Sequence, residues 1–199
     1  MKRILSIILA FVSINVFAQT ITEDFESNSL GWNESVGKKG EAIIKDGALH
    51  LSAGAGLEGG RSFIATCYLP IDSSKNFSIK ATCTNTKIND EDHGICLIIN
   101  YMDDYNYDEF IITKELAIYK RWIDGKPVGF RQSQIKVDKK SKDHIIEIIS
   151  TLNKLEFIVD NMKCLELRYA PLHYSGFGVG VWAADGKQVA DIDQIEIIQ

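Results

Sequence analysis

The last ten residues, ADIDQIEIIQ, hold three carboxylates, Asp191, Asp193 and Glu196, within six positions. Two carboxyl groups roughly 5 Å apart can cleave a glycosidic bond with retention, one attacking the sugar and the other protonating the leaving oxygen. The surrounding pattern argues against that use. Ile195 and Ile197 alternate with Glu196, so a strand here turns Glu196 away from its apolar face. Asp191 and Asp193 precede that run, at the strand's start. Nothing else in the chain supplies the remaining parts of such a site, so no catalysis is expected from the triplet.

The segment NYMDDYNYDEFIITKELAIYKRW is more suggestive. If Phe110 and Ile112 point inward on one strand, then Tyr107, Glu109 and Ile111 point the other way, with Tyr105 nearby. On the next strand Leu116, Ile118, Lys120 and Trp122 share one face, and Ala117, Tyr119 and Arg121 the other. Sugar recognition uses rings that stack on the C–H face of a sugar, beside charged groups that bind its hydroxyls. Protein interfaces are enriched in the same residue types. The expected ligand site is Tyr105, Tyr107, Glu109, Lys120 and Trp122, with its rings exposed. Trp32 and Trp182 stand at positions that look structural and are left outside it.

Other constellations carry less. The acidic cluster in NDEDHG lacks the glycine and distal glutamate of a calcium loop and reads as a solvated hairpin tip. His50, His93, His144 and His173 are scattered without metal-ligand spacing. GAGLEGG opens no helix, so it is a loop rather than a phosphate cradle.

Period-two alternation dominates the elements that must position these residues. Phe77, Ile79, Ala81 and Cys83 share one face of NFSIKATC, and Leu155, Phe157 and Val159 share one face of KLEFIVD. Similar runs recur throughout, separated by turn pairs at Asp46-Gly47, Asp124-Gly125, Asp160-Asn161 and Asp185-Gly186. No window of a dozen residues keeps a helical stripe. The expected fold class is all-β, an antiparallel two-sheet β-sandwich.

The chain opens with a charged start at Lys2 and Arg3, an apolar stretch from Ile4 to Val12, and the small-residue site Val16-Phe17-Ala18. Those are the three parts of a secretory signal. Cleavage after Ala18 leaves residues 19–199 as one domain, periplasmic or secreted, with no membrane span. Losing Lys2 and Arg3 from 22 cationic residues leaves 20 against 27 acidic ones, a net charge of −7. That balance excludes nucleic acid and anionic membranes as natural partners. Four cysteines, Cys67, Cys83, Cys96 and Cys164, contain no C-x-x-C pair. Export permits disulfides, with Cys83 and Cys96 the best candidate pair, and four free buried thiols are the alternative.

DFESNSLGWNE, KDGALHL, NFSIKAT, YNYDEFIIT, LAIYKRWIDGK, KLEFIVDN and GFGVGVWA followed by ADIDQIEI form an ordered series. In that order the chain resembles the concanavalin A-like lectin/glucanase superfamily, particularly its small secreted jelly-roll domains of the Bacteroidetes type. The resemblance implies a jelly roll and spans lectins, carbohydrate-binding modules, glycosidases, lyases and interaction domains. Glucanases of this group place their signature on a central strand of the concave face and lead it with glutamate, where this chain has Asp191 near its end. The resemblance also implies a possible structural calcium where terminal strands meet, with Glu23, Asp24, Glu26 and Asp191 as candidate oxygens. The alternative is that these are solvated carboxylates. The expected function is an exported, non-catalytic binding protein for glycan. An exported protein partner, as for a periplasmic inhibitor or immunity protein, is the alternative, and a glycosidase or lyase the third.

Overall fold

The structure, a computed structural model, describes residues 19–54, 62–69, 71–72, 75–86, 88, 93–138, 140–151, 153–168, 174–183 and 188–199. The expected leader at 1–18, most of GAGLEGG, the acidic cluster at 90–92, His173 and the turn at 185–186 lie outside those residues.

Alternating sequence becomes strand, and the described residues contain no helix. One sheet has nine strands: β1 (Thr20–Glu23), β2 (Ser35–Gly37), β3 (Gly40–Lys45), β4 (Ala48–Ala53), β6 (Phe77–Thr84), β11 (His144–Thr151), β12 (Lys154–Val159), β13 (Met162–Arg168) and β15 (Val189–Ile198). They lie in the order β13-β12-β11-β6-β15-β4-β3-β2, with β1 beside the second half of β15. The other sheet holds β5 (Ser62–Tyr68), β7 (His93–Asp103), β8 (Asn106–Ile112), β9 (Leu116–Ile123), β10 (Lys126–Gln134) and β14 (Gly176–Ala183). Its order is β10-β9-β8-β7-β14-β5. All pairings are antiparallel. This is the expected two-sheet sandwich.

Three of the predicted turns take the left-handed backbone that tight hairpins demand. Asp46 and Gly47 have φ of 54° and 72°, Asp124 and Gly125 50° and 71°, and Asp160 and Asn161 49° and 64°. Two consecutive positive φ values match the right-handed twist of the strands they join.

The inward faces of both sheets form one core. Phe110 of β8 meets Phe157 of β12 at 5.1 Å between ring centroids, and Trp32 packs between Phe25 and Phe177. The loop carrying Phe25 and Trp32 is gathered by one buried carboxylate. Glu23 accepts the Phe25 N–H at 3.1 Å, the Ser29 hydroxyl at 3.0 Å and the Leu30 N–H at 3.2 Å.

The expected Cys83–Cys96 disulfide does not form, and all four thiols are free. Cys83 points from β6 into the core, whereas Cys96 points from β7 out of the opposite side of the other sheet. A whole sheet separates the two side chains, which no disulfide spans. Burial pushes the Cys67 thiol up to about 12 and raises Cys83 and Cys96 as well. A thiol reagent should therefore label native protein at half-buried Cys164 alone, and all four sites in denaturant without reductant. Fewer than four reactive thiols in denaturant would show that a disulfide exists.

Candidate functional site

The register of β8 and β9 brings four of the five expected residues together. Tyr107 lies opposite Trp122, Glu109 opposite Lys120, and Ile111 opposite Ile118. All six point out of the six-stranded sheet, away from the nine-stranded one, as the alternation predicts. Tyr105 sits apart on the β7–β8 turn, where it is exposed and its N–H is held by Asp103.

The expected exposure fails. Tyr107 is 6% exposed, Trp122 9% and Glu109 0%. Their rings stack on each other at 6.0 Å, and Tyr101 joins them 6.3 Å from Tyr107. On the same face of β14, Gly176, Gly178 and Gly180 carry no side chain, and Trp182 follows them in the alternation. A Cβ at Gly176 would stand 2.1 Å from the Tyr101 carbonyl oxygen, and one at Gly180 would stand 2.7 Å from Ile64 Cγ2 and 2.9 Å from Cys96 Sγ. The strands beside β14 therefore leave no room for a side chain at these positions. The face becomes a second small core of Cys96, Ile98, Tyr107, Ile111, Ile118 and Trp122.

Trp182, set aside on sequence as structural, belongs to this cluster and not to the core between the sheets. The Lys120 ammonium lies 5.5 Å from its ring centroid and 6.0 Å from that of Trp122. Ser62, from the far edge strand β5, donates its hydroxyl to Glu109 Oε1, and Trp122 Nε1 donates to Oε2 at 3.1 Å. Burial raises the Glu109 carboxyl above the usual carboxylate range, outweighing Lys120 and both hydrogen bonds. Sequence spacing had no means of finding Ser62, because only sheet order brings β5 to Glu109. The Gly-x-Gly-x-Gly alternation in GFGVGVWA was the readable sign of close approach by neighbouring strands.

Asp108, the next residue, is also buried but faces the other way. Arg121 binds it through Nε at 2.6 Å and Nη2 at 2.8 Å, while Asn100 and Tyr119 donate at 2.7 Å and 3.1 Å. Where β8 begins, a pocket of about 180 Å³ opens beside this network. It is bordered by Asn100, Asn106, Asp108, Arg121, Ile123 and the half-exposed Tyr174, and Tyr107 and Trp122 border it from strands whose side chains at those positions point to the other face. The strands of the outward face supply a single carboxylate, Glu109, and Asp104 stands at the rim holding the Tyr101 hydroxyl at 2.8 Å.

The terminal triplet lies on β15, in the middle of the nine-stranded sheet rather than at its edge. Ile192, Ile195 and Ile197 face the core, and all three carboxylates have structural partners. Asp191 binds His50 at 2.7 Å and Asn85 at 3.2 Å, Asp193 accepts from Thr84 at 3.0 Å, and Glu196 lies 3.8 Å from Lys80. The calcium expectation does not fit these donors. Glu23 is committed to its own loop, Asp24 accepts the Glu26 N–H, and Asp191 is held by His50. Among the described residues no three His, Cys, Asp or Glu side chains gather as metal ligands.

No family model matches the sequence, and no curated protein is similar to it. Solved structures are. The chain is similar to the apo Crh5 transglycosylase, with a TM-score of 0.61 at 13% identity over 89% of this chain and 83% of that one. It is similar to the carbohydrate-binding module CBM66 from Bacillus subtilis, with 0.58 at 12% over 82% and 92%. A prokaryotic β-1,3-1,4-glucanase (lichenase) from a mouse hindgut metagenome gives 0.57 at 13% over 89% and 98%. The fold is that of the concanavalin A-like lectins and glucanases. The similar structures include a binding module and a glucanase, and the likeness is one of fold.

Replacing Trp122 by alanine should cost about 3–5 kcal/mol, read as a lower denaturant midpoint, because the ring is packed rather than exposed. Glu109 binds its proton more tightly in the fold than in the unfolded chain. Its contribution to stability is thus full below about pH 4.3, the unfolded value, and is lost as pH rises through the raised folded value. Glu109→Gln should abolish that component of the stability–pH curve. An unchanged curve would show that the carboxyl is not perturbed.

Proposed function

We propose that the protein is an exported, non-catalytic glycan-binding domain, and that the pocket at the start of β8 takes the sugar. The observation that supports this most is the lining of that pocket. Tyr174, about half exposed, stands with Asn100, Asn106, Asp108 and Arg121 around one opening of about 180 Å³. Rings cover the C–H face of a sugar, and amides and guanidinium bind its hydroxyls. The carbohydrate-binding module among the similar structures supports the ligand class. Tyr174, about half exposed, is the aromatic ring offered to the ligand.

A protein partner is favoured by a different observation. Edge strand β10 exposes Val128 at 57% and Phe130 at 50%, and an open edge with apolar side chains can take another chain's strand.

A screen of neutral and acidic oligosaccharides and of exported proteins separates the two readings. Tyr174→Ala should weaken glycan binding about tenfold to a hundredfold with little change in melting temperature. Assays on β-glucans and xylans should show no turnover. Binding of a protein that is lost in Phe130→Lys and retained in Tyr174→Ala would replace the glycan reading. Turnover abolished by Glu109→Gln would instead make the protein an enzyme.

A further inference from the structure

A second depression, of about 360 Å³, lies where the two sheets part, between edge strands β10 and β13. Tyr119, Leu155 and Leu167 line it, and Arg121, Arg131 and Arg168 reach it from three different strands. Its one carboxylate, Glu166, is already bound by Lys154 at 3.0 Å and Lys163 at 2.9 Å, which hold it down at about 2. Arg121 is oriented by its paired bonds to Asp108, and Arg131 donates Nη1 to the Phe130 carbonyl at 2.7 Å. Three arginines border this one groove in a chain with a net charge of −5, and of the three Arg121 is already paired with Asp108.

Gly129 keeps the groove open. A Cβ there would make only ordinary contacts, 3.4 Å from Arg121 Cβ and 3.7 Å from Tyr119 Cε1, so backbone strain does not demand glycine. A longer side chain would extend towards Arg121 and Tyr119, into the opening.

We propose that this groove is a binding site for the anionic substituent of an acidic glycan, a carboxylate or sulfate ester held by Arg131 and Arg168 with Arg121 behind them. Planar guanidinium groups suit both anions, because each offers paired donors to two oxygens. An apolar floor of Tyr119, Leu155 and Leu167 beside them suits the C–H surface of the sugar that bears the charge. The site stands on its own residues, and it goes beyond the neutral contacts assigned to the Tyr174 pocket.

Calorimetric titration of the 19–199 chain with three probes tests it: hexagalacturonate, its methyl ester, and a sulfated galactan hexasaccharide. One or both anionic probes should bind, and the methyl ester should bind at least about tenfold more weakly than its acid, as the loss of charge-assisted bonds requires. Arg131→Ala and Arg168→Ala should each weaken the anionic probe about tenfold without changing the melting temperature. Gly129→Leu should block it while leaving all the arginines in place. Binding of the carboxylate alone, the sulfate alone, or both identifies the substituent, and each of these outcomes supports the site. Anionic affinity unchanged in all three variants, equal affinity for the ester, or no binding of either anion overturns it. Loss of all binding in Tyr174→Ala with none in the groove variants would sink this site and spare the proposed function. Intact groove binding with no effect of Tyr174→Ala would do the opposite.

Discussion

Two successive carboxylates, Asp108 and Glu109, are buried on opposite faces of one strand, and the arrangement of β7, β8 and β9 depends on keeping them there. Asp108 is satisfied by four donors from β7 and β9, whereas Glu109 has a hydroxyl and an indole N–H. A slip of one residue would exchange them, taking a carboxylate from a guanidinium into an apolar cluster. The pair therefore specifies register more strongly than any apolar side chain on the strand. It also fixes Arg121, which borders the pocket at the start of β8 on one side and the basic groove on the other.

Much of this was legible in the chain because local rules decide it. Alternation at Phe77–Cys83 and Leu155–Val159 gives strands whose inward faces are those found, and Asp-Gly and Asp-Asn pairs give the hairpins. The outward direction of Tyr107, Glu109, Lys120 and Trp122 follows from the same period. What alternation cannot report is how crowded a face becomes. Tyr107 and Trp122 are buried because they stack on each other and Tyr101 packs against Tyr107, a crowding that depends on the register of three strands. The disulfide expectation failed for a related reason, since two cysteines on consecutive strands of the chain belong to different sheets. β15 is central rather than terminal because β1 and β4 share its flank, a fact of topology that its own residues do not encode.

The outward face of the six-stranded sheet is filled by Trp122, Trp182 and Lys120, and open surface remains at its ends. Glu109, enclosed among rings, has become a packing element with an unusual proton affinity. Openings at the start of β8 and between β10 and β13 are where polar groups and rings still meet solvent.

The placement of the three tryptophans has an optical consequence. Trp32 is enclosed between Phe25 and Phe177, far from the outward face, while Trp122 and Trp182 flank a single ammonium group. Indole emission responds to the field of a nearby charge, and Trp122 also borders the pocket at the start of β8. Any shift of Lys120 would alter two of the three emitters in concert and leave the third as an internal standard, so the protein carries a fluorescence reporter of its own outward face.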